Sequence, residues 1–134
     1  MFHIESCHCP ALLHDIPVGK GPRHQAGAIV WQRTPIGIQV LLVERSSGKG
    51  WGIPKGGIES GERSQDAALR EAWEEAGVEP KSLIQDLGEM RYVKRNRAQV
   101  VHLHAVEAQR LFNEWPEALR RRRAWFSLED AIRE

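Results

Sequence analysis

The stretch that most constrains this 134-residue chain is the run of glycines, acids and arginine from Gly56 to Val78. It is entered through Trp51–Gly61, where Gly52, Gly56, Gly57, Gly61 and Pro54 predict an ordered but non-helical turn region. A helix is predicted over Ser64–Ala76. Ser64 is placed to cap its start, Asp66 falls in the positive first turn, and Gly77 suits the left-handed position just past its end. At about 100° per residue, Glu71, Glu74 and Glu75 share one arc of that helix. Leu69, Ala72, Trp73 and Ala76 fall on the opposite arc, which predicts one packing face and one acidic face. Like charges three and four residues apart repel by a few tenths of a kcal/mol per pair. The cluster is therefore either a solvated surface relieved by Arg70, or a seat for a hard divalent cation such as Mg²⁺ or Mn²⁺, which takes oxygen ligands. In the second case Arg70 would hold one of the carboxylates in place.

Around this run the chain alternates like a sheet protein. Ala26–Trp31 and Ile38–Glu44 are rich in Val, Ile and Leu and flank Thr34-Pro35-Ile36-Gly37, which predicts an antiparallel hairpin. Over Gln99–Val106, Val101, Leu103 and Ala105 alternate with His102 and His104, predicting a strand with the histidines on one face. Trp125-Phe126 reads as a short strand, and Ser127 with Asp130 forms a capping-box-like start for a terminal helix. Residues 1–20 read as an irregular lead-in and 21–134 as one domain. A chain of this length buries roughly two thirds of its unfolded surface. Hydrophobic residues at 41% and charged residues at 28% argue against disorder, a collagen-like repeat or a disulfide scaffold. A formal net charge of +1 argues against a polybasic nucleic-acid arm. No stretch approaches the ~18 apolar residues of a membrane span, and no secretory signal is visible. Cys7 and Cys9 would close almost no loop as a disulfide, and the plain reading is a reducing cytoplasm. His3, Cys7, Cys9 and His14 match no strong zinc spacing.

Read from Gly56, the chain gives five residues, Glu62, seven residues, then Arg70-Glu71-Ala72-Trp73-Glu74-Glu75-Ala76-Gly77-Val78. This resembles the Nudix box, G-x5-E-x7-R-E-U-x-E-E-x-G-U, at every position. Seven fixed letters at roughly 1 in 15 each match by chance on the order of once in 10⁸ start positions. The resemblance implies an α+β Nudix fold, an α/β/α sandwich with a mixed central sheet, which the hairpin before the box and the strand after it fit. It implies hydrolysis of a diphosphate linked to a second group, with water attacking phosphorus and Mg²⁺ or Mn²⁺ neutralising the phosphoryl oxygens. Such chemistry needs positioning and electrostatic stabilisation more than covalent help. By the same resemblance Glu71, Glu74 and Glu75 are the metal-binding and catalytic glutamates. Arg70 orients Glu71, Glu62 supports the site, and the Lys55 carbonyl is a backbone metal ligand. Gly56 and Gly57 permit close backbone approach to the substrate. The general base stays open between a box glutamate and a later residue, with Glu89 and Glu107 as candidates. His102 and His104 either reach a ligand from the sheet or are structural.

Trp51-Gly52-Ile53-Pro54-Lys55-Gly56-Gly57 resembles the W-x-x-P-K-G entry of dinucleoside polyphosphate hydrolases and their diphosphoinositol polyphosphate relatives. Glu114-Trp115-Pro116-Glu117, then Arg120–Arg123 and Trp125-Phe126, is similar to the tail of that branch. Lys55 stands where eukaryotic diphosphoinositol members typically have Gly, and no proline lies where ADP-ribose hydrolases carry one shortly after the box. A polyphosphate needs several converging cations, and Lys55, Arg23, Arg95, Arg97 and Arg122 are the candidates. Tyr92 is placed either to stack on a base or to pack in the core. Competing readings are a hydrolase of ADP-ribose, a nucleotide sugar or a nucleoside triphosphate, and a non-catalytic nucleotide-binding module, which the intact glutamates disfavour. The near-neutral charge is a sum of separate patches. Residues 56–79 hold seven acids and two bases, residues 91–106 hold four bases and no acid, and 120–123 are four arginines. A small polyphosphorylated molecule is the expected partner, with no nucleic acid and no membrane; oligomeric state is not specified by the sequence.

Overall fold

The computed structural model describes residues 21–134, so the lead-in and the His3, Cys7, Cys9 and His14 group lie outside the described residues. Strands β1 (Arg23–Thr34) and β2 (Gly37–Glu44) form the expected hairpin, closed in register from Thr34 to Gly37. β3 (Trp51–Gly52) and β4 (Lys55–Gly57) follow, then helix α1 (Ser64–Ala76). The long strands β5 (Val78–Lys94) and β6 (Arg97–Leu111) pair antiparallel, and β7 (Arg123–Ser127) leads into the short helix α2 (Leu128–Ile132). All seven strands share one sheet. It is mixed, because β1 runs parallel to β6 while the remaining pairs are antiparallel. No helix among the described residues is long and apolar enough to cross a membrane.

Two features of the sheet place the site. The first is a split between β1 and β2. They pair only from Val30↔Leu41 towards the turn; beyond that, the end of β2 pairs with β3 and the start of β1 pairs with β4. The Ala28 amide donates to the Pro54 carbonyl at 2.9 Å, so the Trp51–Gly57 segment is wedged into the opening. The expectation of a non-helical region is thereby met by two very short strands.

The second feature is the small-residue face of α1. Ala67, Ala68, Ala72 and Ala76 are buried against Ala26, Ala28 and Val30 of β1. Methyl groups on both sides let the helix lie close to the sheet, and a larger residue there would overpack by about 1–3 kcal/mol. This corrects the two-faced reading of the helix. Glu71 and Glu75 lie within the buried arc at 7% and 5% exposure, while Trp73, at 39%, stands outside it edge-on to Phe112. The carboxylates are therefore pressed onto the sheet by the alanines around them.

Ser64 does not cap the helix. Arg63 is the N-cap residue and makes no side-chain cap bond, while Ser64 Oγ lies 2.9 Å from His104 Nε2. Ser64 is instead the first helical residue, one past the cap position, and its hydroxyl partners the buried imidazole. At the other end Gly77 takes the expected left-handed conformation, with φ 64°. Ser127 caps α2 as expected, its Oγ accepting from the Asp130 amide at 3.1 Å.

The second core cluster, on the other face of the sheet, contains Val40, Leu42, Ile53, Val101 and Leu103. It meets Trp51, Met90, Tyr92, Phe126 and Ala131, so α2 and β7 close that side only in part. β5 had no predicted counterpart. Its register against β6 shifts at Glu79/Pro80, Pro80/Ile84 and Asp86/Gly88, which destroys the period of two that betrays a strand.

Candidate functional site

Arg70 organises the start of the site. All five of its N–H groups are used. Nε and Nη2 hold Glu62 in a fork, each at 2.9 Å, and Nη2 also donates to the Gly57 carbonyl at 3.0 Å. Nη1 donates to Glu71 at 2.7 Å and to Glu74 at 3.4 Å. One planar group thus ties the loop, β4 and two box glutamates together, a task lysine lacks the donors for. The fork raises the Arg70 pKa and holds the Glu62 carboxyl down to about 2.

Glu71 lies directly over β4. A Cβ placed on Gly56 would collide with its carboxylate, so only glycine leaves room for the acid. One turn on, Glu75 is buried and lines a cavity of about 300 Å³ with Lys55, Gly56, Gln25, Arg23, Lys94 and Arg121. Burial foremost, and then a hydrogen bond with Glu71, push the Glu75 carboxyl well above the usual carboxylate range. Two adjacent buried acids, one held by Arg70 and the other with Arg121 no nearer than 3.9 Å, with oxygen donors only and a strand backbone alongside, fit a hard divalent cation. Glu74 stands apart, half exposed and turned to Arg70. Among the described residues no three His, Cys, Asp or Glu side chains converge closely enough to hold an ion by themselves, so Glu71 and Glu75 form a pair to which other oxygens must be added.

The last turn of α1 is fixed from outside. The Glu117 amide donates to the Glu74 carbonyl at 3.0 Å and Trp115 Nε1 to that of Glu75 at 2.9 Å. Arg123 Nη1 donates to the Ala76 carbonyl at 2.6 Å while its guanidinium lies 3.8 Å from the Trp115 ring centre. The Phe112 amide donates to the Gly77 carbonyl. Carbonyls that a helix end leaves free are thus satisfied by residues 112–123. Gly77 is required twice over: its φ is left-handed, and a Cβ there would lie 2.8 Å from Arg123 Nη1 and 2.9 Å from Trp115 Cβ.

Around Glu75 the cleft is cationic. Arg23, Arg45, Lys55, Lys94 and Arg121 line it against Glu44 and Glu75. Glu44 is already engaged by Arg122 at 2.9 Å, which holds its carboxyl below the usual range. Burial, reinforced by Arg45, Lys94 and Arg121, lowers the Lys55 ammonium pKa although Glu75 opposes the shift. Arg23, Lys55 and Lys94 have no ion-pair partner among the described residues.

Two further cavities adjoin this one. One of about 370 Å³ is largely apolar, with Trp51, Met90 and Tyr92, and shares Lys55 and Lys94 with the cleft. Gln25 Nε2 donates to Gln99 Oε1 at 3.0 Å and reaches the Tyr92 hydroxyl at 3.5 Å. The other, about 350 Å³, is lined by Arg23, Lys94, Arg95, Arg97 and Gln99. Arg95 and Asn96 form the tight turn between β5 and β6, both at positive φ (52° and 61°), and Arg97 donates to the Gly21 carbonyl.

The structure therefore gathers Lys55, Gly56, Arg23 and Glu75 in one cleft, with Glu71 pressed onto its Gly56 wall. It puts Tyr92 in the apolar annex and Arg95 and Arg97 in the basic one. Arg122 is not brought in: it is 77% exposed and bound to Glu44. Neither candidate base lines the cleft. Glu89 pairs with Arg91 at 2.9 Å, and Glu107 with Lys81 at 3.1 Å. His102 stacks on His24 and His104 is buried against Ser64, both on the sheet face that carries α1. Sequence reasoning missed Arg45, Lys94 and Arg121. Lys94 was within reach, because Met90, Tyr92 and Lys94 alternate onto one face of β5; no sequence signal marks Arg45 or selects Arg121 among its neighbours.

Known proteins agree with this architecture. The chain is 45% identical over 97 residues to Nudix hydrolase 4 of Arabidopsis thaliana, covering 70% of this chain and 46% of that protein. It is 36% identical over 99 residues to diphosphoinositol polyphosphate phosphohydrolase 3-alpha of Mus musculus, covering 71% and 58%. The chain thus spans about half the length of the curated relatives it matches. The crystal structure of a C. elegans Ap4A hydrolase binary complex superposes with a TM-score of 0.61 at 26% identity, covering 83% of this chain and 84% of that one. The family model for the NUDIX domain matches residues 22–134, which include every residue of the cleft, and the chain belongs to the NUDIX family.

Proposed function

We propose that this domain is a divalent-metal-dependent pyrophosphohydrolase that cleaves a phosphoanhydride bond of a small molecule carrying several phosphates, a dinucleoside or diphosphoinositol polyphosphate. The observation that carries the reading is the pairing of two charge patterns in one cleft. Buried Glu75 lines the cleft, with Glu71 packed behind its Gly56 wall, and the same cleft is lined by Arg23, Lys55 and Lys94, cations without ion-pair partners among the described residues. A resident protein salt bridge would have neutralised those cations; a polyanion that arrives and leaves does so only transiently. The names of the mouse and nematode relatives support the substrate class.

Glu71 and Glu75 would hold Mg²⁺ or Mn²⁺, with β4 carbonyls such as that of Lys55 completing the oxygen set. A bound ion would supply neutralisation of charge on the phosphoryl oxygens. The chain itself does the positioning. Arg70 fixes Glu71 against Gly57 and Glu62, so the carboxylate keeps one orientation. Lys55, Lys94 and Arg23 receive the phosphate oxygens, and Arg95 and Arg97 extend the cationic path for a longer chain. The Trp51–Tyr92 annex offers an apolar seat to whatever group the phosphates link.

The test is a hydrolysis screen with Mg²⁺ against a diadenosine polyphosphate, a diphosphoinositol polyphosphate, ADP-ribose, a nucleotide sugar and a nucleoside triphosphate. The reading expects the first two to be cleaved fastest and chelation to stop the reaction. Preference for ADP-ribose, or activity that survives chelation, refutes it.

A further inference from the structure

The two alternating histidines of β6 have different surroundings. His104 is buried against Ser64, whereas His102, nearer the start of the strand, meets the exposed His24 of β1. β1 and β6 run parallel there, with Ala26 opposite His102 and His24 opposite Val100. Alternation along β1 turns His24 and Ala26 to the face that carries α1, while Arg23 and Gln25 line the cleft. The two imidazoles are stacked with their planes 25° apart, and His24 Nδ1 lies 3.2 Å from His102 Nε2. The other ring nitrogen of His102, Nδ1, faces Glu89 Oε2 at 3.8 Å. Glu89 is itself fixed by Arg91 at 2.9 Å, and that contact foremost holds its carboxyl below the usual range. A charged carboxylate beside Nδ1 favours the tautomer with its proton there, which leaves the Nε2 lone pair turned to His24.

We propose that His24 and His102 form a site for a transition-metal ion of the imidazole-binding class, Zn²⁺, Cu²⁺ or Ni²⁺, separate from the glutamate pair. The site goes beyond the hydrolase reading and does not rest on it. Two nitrogens each ~2.0–2.1 Å from a tetrahedral zinc stand about 3.3 Å apart, so the 3.2 Å spacing needs little rearrangement. The ion takes the place of the proton that the two rings share, and neutral His24 carries its proton on Nε2 instead. Glu89 acts on the ion through His102, the carboxylate–histidine arrangement that orients metal-ligating imidazoles. No third His, Cys, Asp or Glu among the described residues converges on the pair, so water completes the coordination from the solvent side. Ligand chemistry keeps the two sites apart: imidazole suits zinc, copper and nickel, whereas carboxylates and carbonyls suit Mg²⁺. Because its two ligands sit on neighbouring strands, the ion bridges β1 to β6 and favours the folded chain.

The test is equilibrium dialysis of the full chain against Zn²⁺, with Mg²⁺ in excess to keep the glutamate pair occupied. The histidines and cysteines of the lead-in stay in every variant, so any zinc they hold cancels in the comparison. At the same free zinc the parent is expected to bind one equivalent more than His24→Ala or His102→Ala. Glu89→Gln is expected to bind that equivalent about tenfold more weakly. Ring-nitrogen NMR of the parent should show His24 Nδ1 and His102 Nε2 shifting as zinc is added. Zinc should also raise the melting temperature of the parent more than that of either alanine variant. Equal stoichiometry in parent and alanine variants, or ring nitrogens of both histidines that do not move at saturating zinc, overturns the proposal. If an alanine variant fails to fold, the ring-nitrogen shifts of the parent decide alone. Hydrolysis is read nowhere in this experiment, so its failure and a failure of the substrate screen are distinguishable.

Discussion

Gly77→Ala tests whether the box helix is held by the segment that follows β6. The glycine has φ 64°, where a side chain costs about 1–2 kcal/mol. A Cβ there would also lie 2.8 Å from Arg123 Nη1 and 2.9 Å from Trp115 Cβ. Both groups are bonded to the helix end, so neither can move without giving up the Ala76 or Glu75 carbonyl. Overpacking of this kind costs a further ~1–3 kcal/mol, giving about 2–5 kcal/mol in all. Gly48→Ala isolates the first contribution, since Gly48 has φ 76° and nothing within 4 Å of its would-be Cβ. That variant should lose only about 1–2 kcal/mol. Urea unfolding at constant m, or thermal melts in which 1 kcal/mol is worth about 3–5 °C for a chain of this size, separates the two. Equal losses at both glycines would refute the reasoning: residues 112–123 would then yield freely and could not be what fixes the last turn of α1.

Two further outcomes follow from the loop and helix chemistry. Arg70→Lys removes the Glu62 fork and the Gly57 contact, and for a partly exposed group should cost about 2–3 kcal/mol of stability; a urea midpoint unchanged from the parent would contradict the network. Glu62 is held down to about 2 by Arg70, against 4.5 when unfolded, so its contribution is fully present above about pH 4.5 and is lost as pH falls through 2. Glu62→Gln should therefore flatten the acid limb of the parent's stability curve, and parallel limbs in the two proteins would count against the fork.

The site was more legible in the sequence than the fold around it. The spacing from Gly56 to Val78 named Glu71, Glu75, Arg70, Glu62 and Gly77, because each meets a local demand of helix, loop or cap. It gave the wrong exposure for the glutamates. An arc of a helical wheel cannot say which side is buried when alanines flank the acids, and Ala67 and Ala68 extend the packing surface past them. β5 was hidden by its bulges. Which guanidinium of Arg120–Arg123 faces the cleft has no periodic trace in the sequence, because the turn over 116–120 decides it: Arg121 lines the cleft, whereas Arg122 is exposed and bound to Glu44.

The most direct test of the account follows ³¹P NMR of diadenosine tetraphosphate with saturating Mg²⁺ and either the parent or Glu75→Gln. Glu75 is buried, its carboxyl is bonded to Glu71 within α1, and its contact with Arg121 is long at 3.9 Å, so the isosteric amide preserves the fold and removes the ability to carry charge towards a bound cation. The account predicts new phosphate end-group signals with the parent and a rate at least 100-fold lower with Glu75→Gln, at unchanged melting temperature. Equal rates in the two proteins, or no cleavage by the parent, would contradict it.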